Sequence, residues 1–156
     1  MEIARYIQGT KLFEGIHEKQ MQNLTAIATE KNIPKGEYVF KEGSAGREFY
    51  VIMQGTIAIN KNVAGGRKRN LSNLRPGDIF GELALFDSQP RSADAEAGED
   101  TKLAVFPNDQ FLDLLSKDHA FASQIQRRII NVLCKRLRET DDMLNEGVIW
   151  GFSMEF

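Results

Sequence analysis

The stretch that decides the fold reads Pro76-Gly77-Asp78-Ile79-Phe80-Gly81-Glu82-Leu83-Ala84-Leu85-Phe86-Asp87-Ser88-Gln89-Pro90-Arg91-Ser92-Ala93. Strand-like sequence flanks it, yet Gly81-Glu82-Leu83-Ala84-Leu85 within it is helix-forming by propensity. A turn of helix set among strands leaves free backbone N–H groups at its N-terminus, and such groups suit a phosphate. Gly81 lets the backbone approach a ligand closely. Arg91 offers a planar fork for phosphate oxygens. Glu82 offers a carboxylate that accepts hydrogen bonds from sugar hydroxyls. A carboxylate and a guanidinium nine residues apart, flanking one helical turn, fit a ligand with both ribose and phosphate.

Outward from this stretch, the chain changes character twice. Residues 1 to about 30 read as helical, with Met21, Leu24, Ile27 and Ala28 at helical spacing, until Ile33-Pro34-Lys35-Gly36 breaks the pattern. From about 37 to 106 short strands alternate with glycines: Glu37–Phe40, Phe49–Met53, Thr56–Ile59, Leu71–Leu74 and Lys102–Phe106. Gly65-Gly66 reads as a hairpin turn, with Arg67-Lys68-Arg69 as its solvated tip. Strands at this spacing predict a mainly β jelly roll or barrel with flanking helices, not a parallel sheet. After Pro107 the pattern is helical again. A short helix carries Phe111, Leu112, Leu114 and Leu115, and Asp118 caps a longer one running to about Glu146, about 43 Å if continuous. With no tandem repeat or low-complexity linker, the expectation is one domain over 1–156: a lead-in to about 30, a barrel over about 31–106, and C-terminal helices and tail over about 107–156.

Phe80-Gly81-Glu82-Leu83-Ala84-Leu85 followed by Pro90-Arg91-Ser92-Ala93 resembles the phosphate-binding cassette of the cyclic nucleotide-binding domain family. The order of helices and strands resembles the family as well, over roughly residues 10–146. The resemblance implies that Glu82 binds the ribose 2′-hydroxyl and that Arg91 pairs with the cyclic phosphate. Backbone N–H groups near Leu83, Ala84 and Ala93 would complete the phosphate cradle, and Ser92 would add a hydroxyl. Arginine followed by serine resembles the bacterial catabolite-activator branch. One departure is Asp94, where many members carry a small hydroxyl or apolar residue. A negative charge there weakens anion binding if it points inward, and strand alternation leaves its direction open. Read without the resemblance, Glu82 and Arg91 also fit a structural ion pair in a domain that has lost its ligand. Tyr50 and Phe80 read as core.

In the long helix, Ile125, Ile129, Leu133, Leu137 and Leu144 recur at spacings compatible with one face, and Ile130 and Val132 widen it. A helix of this length overhangs a domain of this size, and exposed apolar surface on the overhang favours a homodimer. Thr140 lies on the stripe, where a polar group needs a partner. Arg138-Glu139-Thr140-Asp141 resembles the part of the catabolite-activator helix that reaches the nucleobase. Thr140 and Asp141 are therefore candidate base contacts, the first suited to an adenine amino group and the second to guanine donors. The expected ligand is cAMP, with cGMP next.

Composition excludes several classes. The net charge of -2 gives no global pull toward nucleic acid or acidic membrane. His17 and His119 are isolated, the strand region holds no histidine, and the single cysteine, Cys134, reads as a buried small hydrophobe, so neither a metal site nor an enzyme is expected. No signal peptide, no membrane span and no room for a helix-turn-helix after the last helix are seen, so the expectation is a cytoplasmic, non-catalytic sensor acting on an unknown downstream protein. The competing readings are a degenerate dimeric interaction scaffold and a sensor for another anion. The aromatic tail, Trp150, Phe152 and Phe156, is expected to pack on the body or the dimer mate and to close over the ligand or dock on a partner.

Overall fold

The computed structural model describes the backbone of residues 2–154 and the side chains of residues 2–146. Two lead-in helices, α1 (Glu2–Gln8) and α2 (Glu18–Ile27), precede eight strands. The strands are β1 (Thr29–Ile33), β2 (Tyr38–Phe40), β3 (Glu48–Gln54), β4 (Ile57–Val63), β5 (Arg67–Leu74), β6 (Ile79–Phe80), β7 (Asp94–Ala97) and β8 (Thr101–Pro107). A short helix α3 (Leu83–Asp87) lies between β6 and β7, and α4 (Asn108–Lys117) and α5 (His119–Met154) follow. The strands form two antiparallel four-stranded sheets, ordered β1-β8-β3-β6 and β2-β7-β4-β5. This is the jelly-roll arrangement with flanking helices expected from the strand spacing.

β3 explains how the layers stack. Its residues Phe49 to Met53 are all buried, so it reads as a continuous apolar run rather than an alternating one. Phe49, Val51 and Met53 face a helical cluster with Phe13, Leu24, Phe111, Ile125 and Ile129. Tyr50 and Ile52 face the space between the sheets, with Ile57, Phe80, Ala95 and Leu103. Phe49 stacks on Phe106 at 5.0 Å and meets Phe111 edge-on at 4.7 Å, which ties α4 to the strands. Asp118 caps α5 as expected, accepting the Phe121 N–H at 3.0 Å.

Several expectations need correction. The helical lead-in ends at Ile27, and residues 29–33 are an edge strand paired with β8. Only Ile33 of that strand is buried, so its hydrophobic pattern carried no strand signal. β7 was not among the strands delimited from the sequence, although Asp94 was read as lying on one, because acidic residues alternate with alanines there. Arg67-Lys68-Arg69 opens β5 rather than forming the hairpin tip. Cys134 is exposed, not buried. The α5 stripe divides into two faces: Ile125 and Ile129 are buried, while Ile130, Leu137 and Leu144 are exposed. Each step of four residues rotates about 40° around an α-helix, so a series 125-129-133-137 walks off the core. Helix α5 is continuous to Met154, beyond the expected end near Glu146. The expectations for the tail fall on Phe156 and on the Trp150 and Phe152 side chains, which lie outside the described residues. No described helix is long and apolar enough to cross a membrane.

Candidate functional site

β6 delivers the chain to Gly81, whose φ of +76° is a backbone conformation glycine adopts without strain. Glu82 then opens α3, and Ser88, left-handed at φ 55°, closes it with its N–H on the Ala84 carbonyl. Pro90 and Arg91 lead back into β7. This excursion walls one side of a cavity of about 180 Å³. Gly81, Glu82, Leu83, Ala84, Arg91, Ser92 and Ala93 all line it, and Thr140 of α5 lines it from the other side. Asp141 does not line it; its side chain is exposed on α5. Phe40, Ile59, Leu71, Ser72 and Leu74 supply most of the remaining wall. A larger open cleft of about 810 Å³ between α1, β3 and the 76–77 turn has no buried ionisable side chain on its wall.

Arg91 is the unusual group. It is only 6% exposed, although arginine is rarely buried without a partner. Its NH1 donates to the Gly81 carbonyl at 2.9 Å and its NH2 to the Glu48 carbonyl at 2.6 Å. Its Nε is buried without an acceptor among the described residues. The guanidinium lies 4.2 Å from the Phe40 ring centroid and 5.7 Å from that of Tyr50. No carboxylate pairs with it among the described residues. Burial pulls its pKa below the usual arginine value, so the cation is held at a cost that a bound anion would offset. Two glycines make room for it. A Cβ on Gly81 would stand 2.8 Å from NH1, and one on Gly46 would stand 2.6 Å from the Ala84 Cβ and 3.0 Å from the Arg91 Cζ.

Glu82 is also buried, but it has a partner. Arg136 of α5 donates to its Oε1 at 2.6 Å and makes a second bond to the Ile79 carbonyl. Glu82 makes no side-chain capping bond to α3. One turn on, the Thr140 hydroxyl donates to the Arg136 carbonyl at 2.9 Å, which leaves its lone pairs as acceptors. Arg136, Glu139 and Ser72 line the cavity and were missed in the sequence. Arg136 carried one signal, since it lies four residues before Thr140 on the same helix face, whereas Glu139, adjacent to Thr140 and about 100° away round the helix, carried only the resemblance of the segment Arg138–Asp141. Ser72 carried none.

Asp94 is buried at 3% exposure and turned away from the cavity, whose lining residues do not include it. It accepts the Glu42 N–H at 2.7 Å and pairs with Lys68 at 3.3 Å. The Glu42 N–H, followed by Lys68, holds its carboxyl below the usual aspartate range. The departure noted in the sequence therefore puts its charge into a network outside the cavity. Among the described residues no group of three or more His, Cys, Asp or Glu side chains is placed to hold a metal ion.

The family model of the cyclic nucleotide-binding domain matches residues 30–118, which run from β1 through the α4–α5 junction. The chain belongs to the cyclic nucleotide-binding domain family. The stretch that resembles the family's cassette is the one that walls the cavity. The cyclic AMP receptor protein of Thermus thermophilus is 30% identical over 135 residues, 86% of this chain and 61% of that protein. The chain thus spans about six tenths of the length of the first curated relatives it matches. Among solved structures, the sensor domain of the transcriptional regulator DNR from Pseudomonas aeruginosa superposes with a TM-score of 0.74 at 28% identity, over 89% of this chain and 96% of that one. The regulatory domain of Toxoplasma gondii PKA, solved with cAMP, superposes with a TM-score of 0.66 at 27% identity, over 72% of this chain and 43% of that one.

Proposed function

We propose that the chain is a non-catalytic sensor whose cavity binds cAMP and whose C-terminal helix carries the signal to a separate protein. The observation that carries the reading is Arg91, a buried guanidinium with no carboxylate partner among the described residues, on the wall of the same cavity as Glu82. In this reading Arg91 takes the cyclic phosphate, with backbone N–H groups near Leu83, Ala84 and Ala93 and the Ser92 hydroxyl around it. Glu82 takes the ribose hydroxyl in exchange for Arg136. Thr140, acting as an acceptor, takes the adenine amino group. The names of the Thermus relative and of the Toxoplasma structure support cAMP over cGMP. Because Arg136 sits on α5, exchange at Glu82 would bias the position of that helix.

The reading extends to a homodimer through α5. Ile130, Cys134, Leu137, Asp141 and Leu144 are all exposed and recur at alternating steps of four and three, the spacing of a two-stranded seam. Helices α1, α2 and α5, outside residues 30–118, share the helical core cluster and are read as parts of the same module. A second reading, an interaction scaffold without a ligand, draws on Arg136, which already satisfies Glu82.

The test is calorimetric titration of ligand-stripped protein with cAMP, cGMP and noncyclic AMP. Micromolar or tighter binding of cAMP, with cGMP weaker and AMP silent, supports the sensor. Tighter cGMP binding replaces the base assignment. Silence toward all three in folded protein favours the scaffold.

A further inference from the structure

Lys61 stands on β4, outside the cavity, and makes two contacts. Its ammonium donates to the Ser92 carbonyl at 2.7 Å and stands 2.7 Å from a Glu42 carboxylate oxygen. One residue earlier in the cassette, the Arg91 carbonyl accepts the Gly43 N–H at 2.8 Å, and the Arg91 N–H donates to the Ser44 carbonyl at 2.8 Å. Ser92 and Ala93 line the cavity; Lys61 and Gly43 do not. The two carbonyls are therefore bonded to groups that are not part of the cavity wall.

Peptide planarity turns this into a statement about donors. In a trans peptide the C=O of one residue and the N–H of the next point in opposite directions. Holding the Arg91 carbonyl outward turns the Ser92 N–H inward, and holding the Ser92 carbonyl outward does the same for the Ala93 N–H. The Gly43 tie is backbone and survives any side-chain change. The Lys61 tie is a side chain reaching across from another strand, and it depends on the residue at that one position.

We propose that Lys61 is a positioning residue for the phosphate site: its ammonium fixes the Ser92 carbonyl outward and so aims the Ala93 N–H at the bound anion. The inference rests on the cyclic nucleotide reading above. It differs from the ordinary role of an exposed lysine. An exposed ion contact contributes little to folding stability, whereas a preorganised N–H is felt by the ligand it faces. Asp94 supports the arrangement by holding the Glu42 backbone, so that the Glu42 carboxylate stays beside Lys61.

The experiment titrates the full chain and its Lys61→Met and Lys61→Arg variants with cAMP and with the two phosphorothioate diastereomers, each of which replaces one exocyclic oxygen by sulfur. Lys61→Met is expected to bind cAMP about tenfold more weakly, the scale of one lost charge-assisted contact. Its melting temperature stays near that of the parent. The ratio between the diastereomers narrows, because an N–H no longer aimed distinguishes the two oxygens less. Lys61→Arg restores most of the affinity and the ratio. A Lys61→Met protein that binds cAMP like the parent overturns the inference, as does a loss of equal size for both diastereomers. A parent that binds no cyclic nucleotide removes the reading beneath it as well, and that outcome is visible before any variant is made.

Discussion

Arg136 and Glu82 meet at 2.6 Å on the wall of the cavity, and through that contact α5 is joined to the start of α3. Glu82 is 4% exposed, so removing the guanidinium leaves a buried carboxylate without its counter-ion. Arg136→Met should lower stability, Glu82→Gln should recover part of the loss in that background, and the coupling in a double-mutant cycle should reach about 1–3 kcal/mol. Urea denaturation of the four proteins measures it, and strict additivity would show the contact to be energetically idle.

Arg91 should be the residue on which nucleotide affinity depends most. Arg91→Ala removes a desolvated charge-assisted contact, expected at roughly 2–5 kcal/mol by analogy with buried interfacial charge pairs, which is about thirtyfold or more in affinity. Arg91→Lys should recover little of it, since an ammonium keeps the charge but not the fork that reaches both the Gly81 and Glu48 carbonyls. Calorimetry with cAMP distinguishes the two variants from the parent. Parent-like binding by Arg91→Ala would sink the phosphate assignment.

Gly46 supports Arg91 from behind. A Cβ there would lie 2.6 Å from the Ala84 Cβ, and overpacking of this kind costs about 1–3 kcal/mol. Gly46→Ala should lower the melting temperature by roughly 2–12 °C for a chain of this size. It should also weaken cAMP binding, because α3 and Arg91 must both yield. A thermal melt and a titration of the same preparation read the two effects, and an unchanged melt would show that the site relaxes freely.

The exposed stripe on α5 predicts the assembly. Leu137→Glu places a charge in the middle of the proposed seam between Ile130 and Leu144. Sedimentation equilibrium should give a dimer for the parent and a monomer for the variant at the same concentration. Two monomers would remove the seam from the reading.

Two aspartates give the pH dependence. Asp94, held by the Glu42 N–H and Lys68, and Asp118, held by the Phe121 N–H and Gln20, both have pKa values below the usual aspartate range. A depressed folded pKa contributes stability that is present above the unfolded value of about 3.9 and lost as pH falls through the folded one. Unfolding free energy should therefore fall as pH is lowered from about 5 toward 3. Asp94→Asn and Asp118→Asn should each flatten that slope. A slope unchanged in both variants would place the acid sensitivity elsewhere.

Much of this was readable from the chain. The helical turn after Gly81 and the charged pair Glu82 and Arg91 were identified from propensity and residue chemistry, Leu83, Ala84, Ser92 and Ala93 through the resemblance to the family's cassette, and the cavity gathers all seven. Thr140 was reached through a resemblance and lines the same cavity. Asp141 was placed beside it on the same grounds, and the helix turns it away, because adjacent residues on a helix face directions about 100° apart. Cys134 looked buried because its neighbours are apolar, yet it lies on the face of α5 turned away from Val132, Leu133 and Arg136, which meet the core and the cavity. β1 was hidden because its side chains are mostly exposed, and strand pairing with β8 is a long-range contact that no local pattern reports.

Legible in the chain alone were the helical turn after Gly81, the succession of a helical, a strand-rich and a second helical region, and the charged groups Glu82 and Arg91, since glycine conformations, helix propensity and residue chemistry act within a few positions. The packing of distant elements decided that Glu82 is held by Arg136 across 54 residues, that Arg91 is buried without a carboxylate partner among the described residues, and that Asp94 faces Lys68 instead of the cavity. Those outcomes depend on how α5 and the β4–β5 hairpin settle against the cassette. That docking is set by the summed packing of distant residues, which no local stretch of sequence contains.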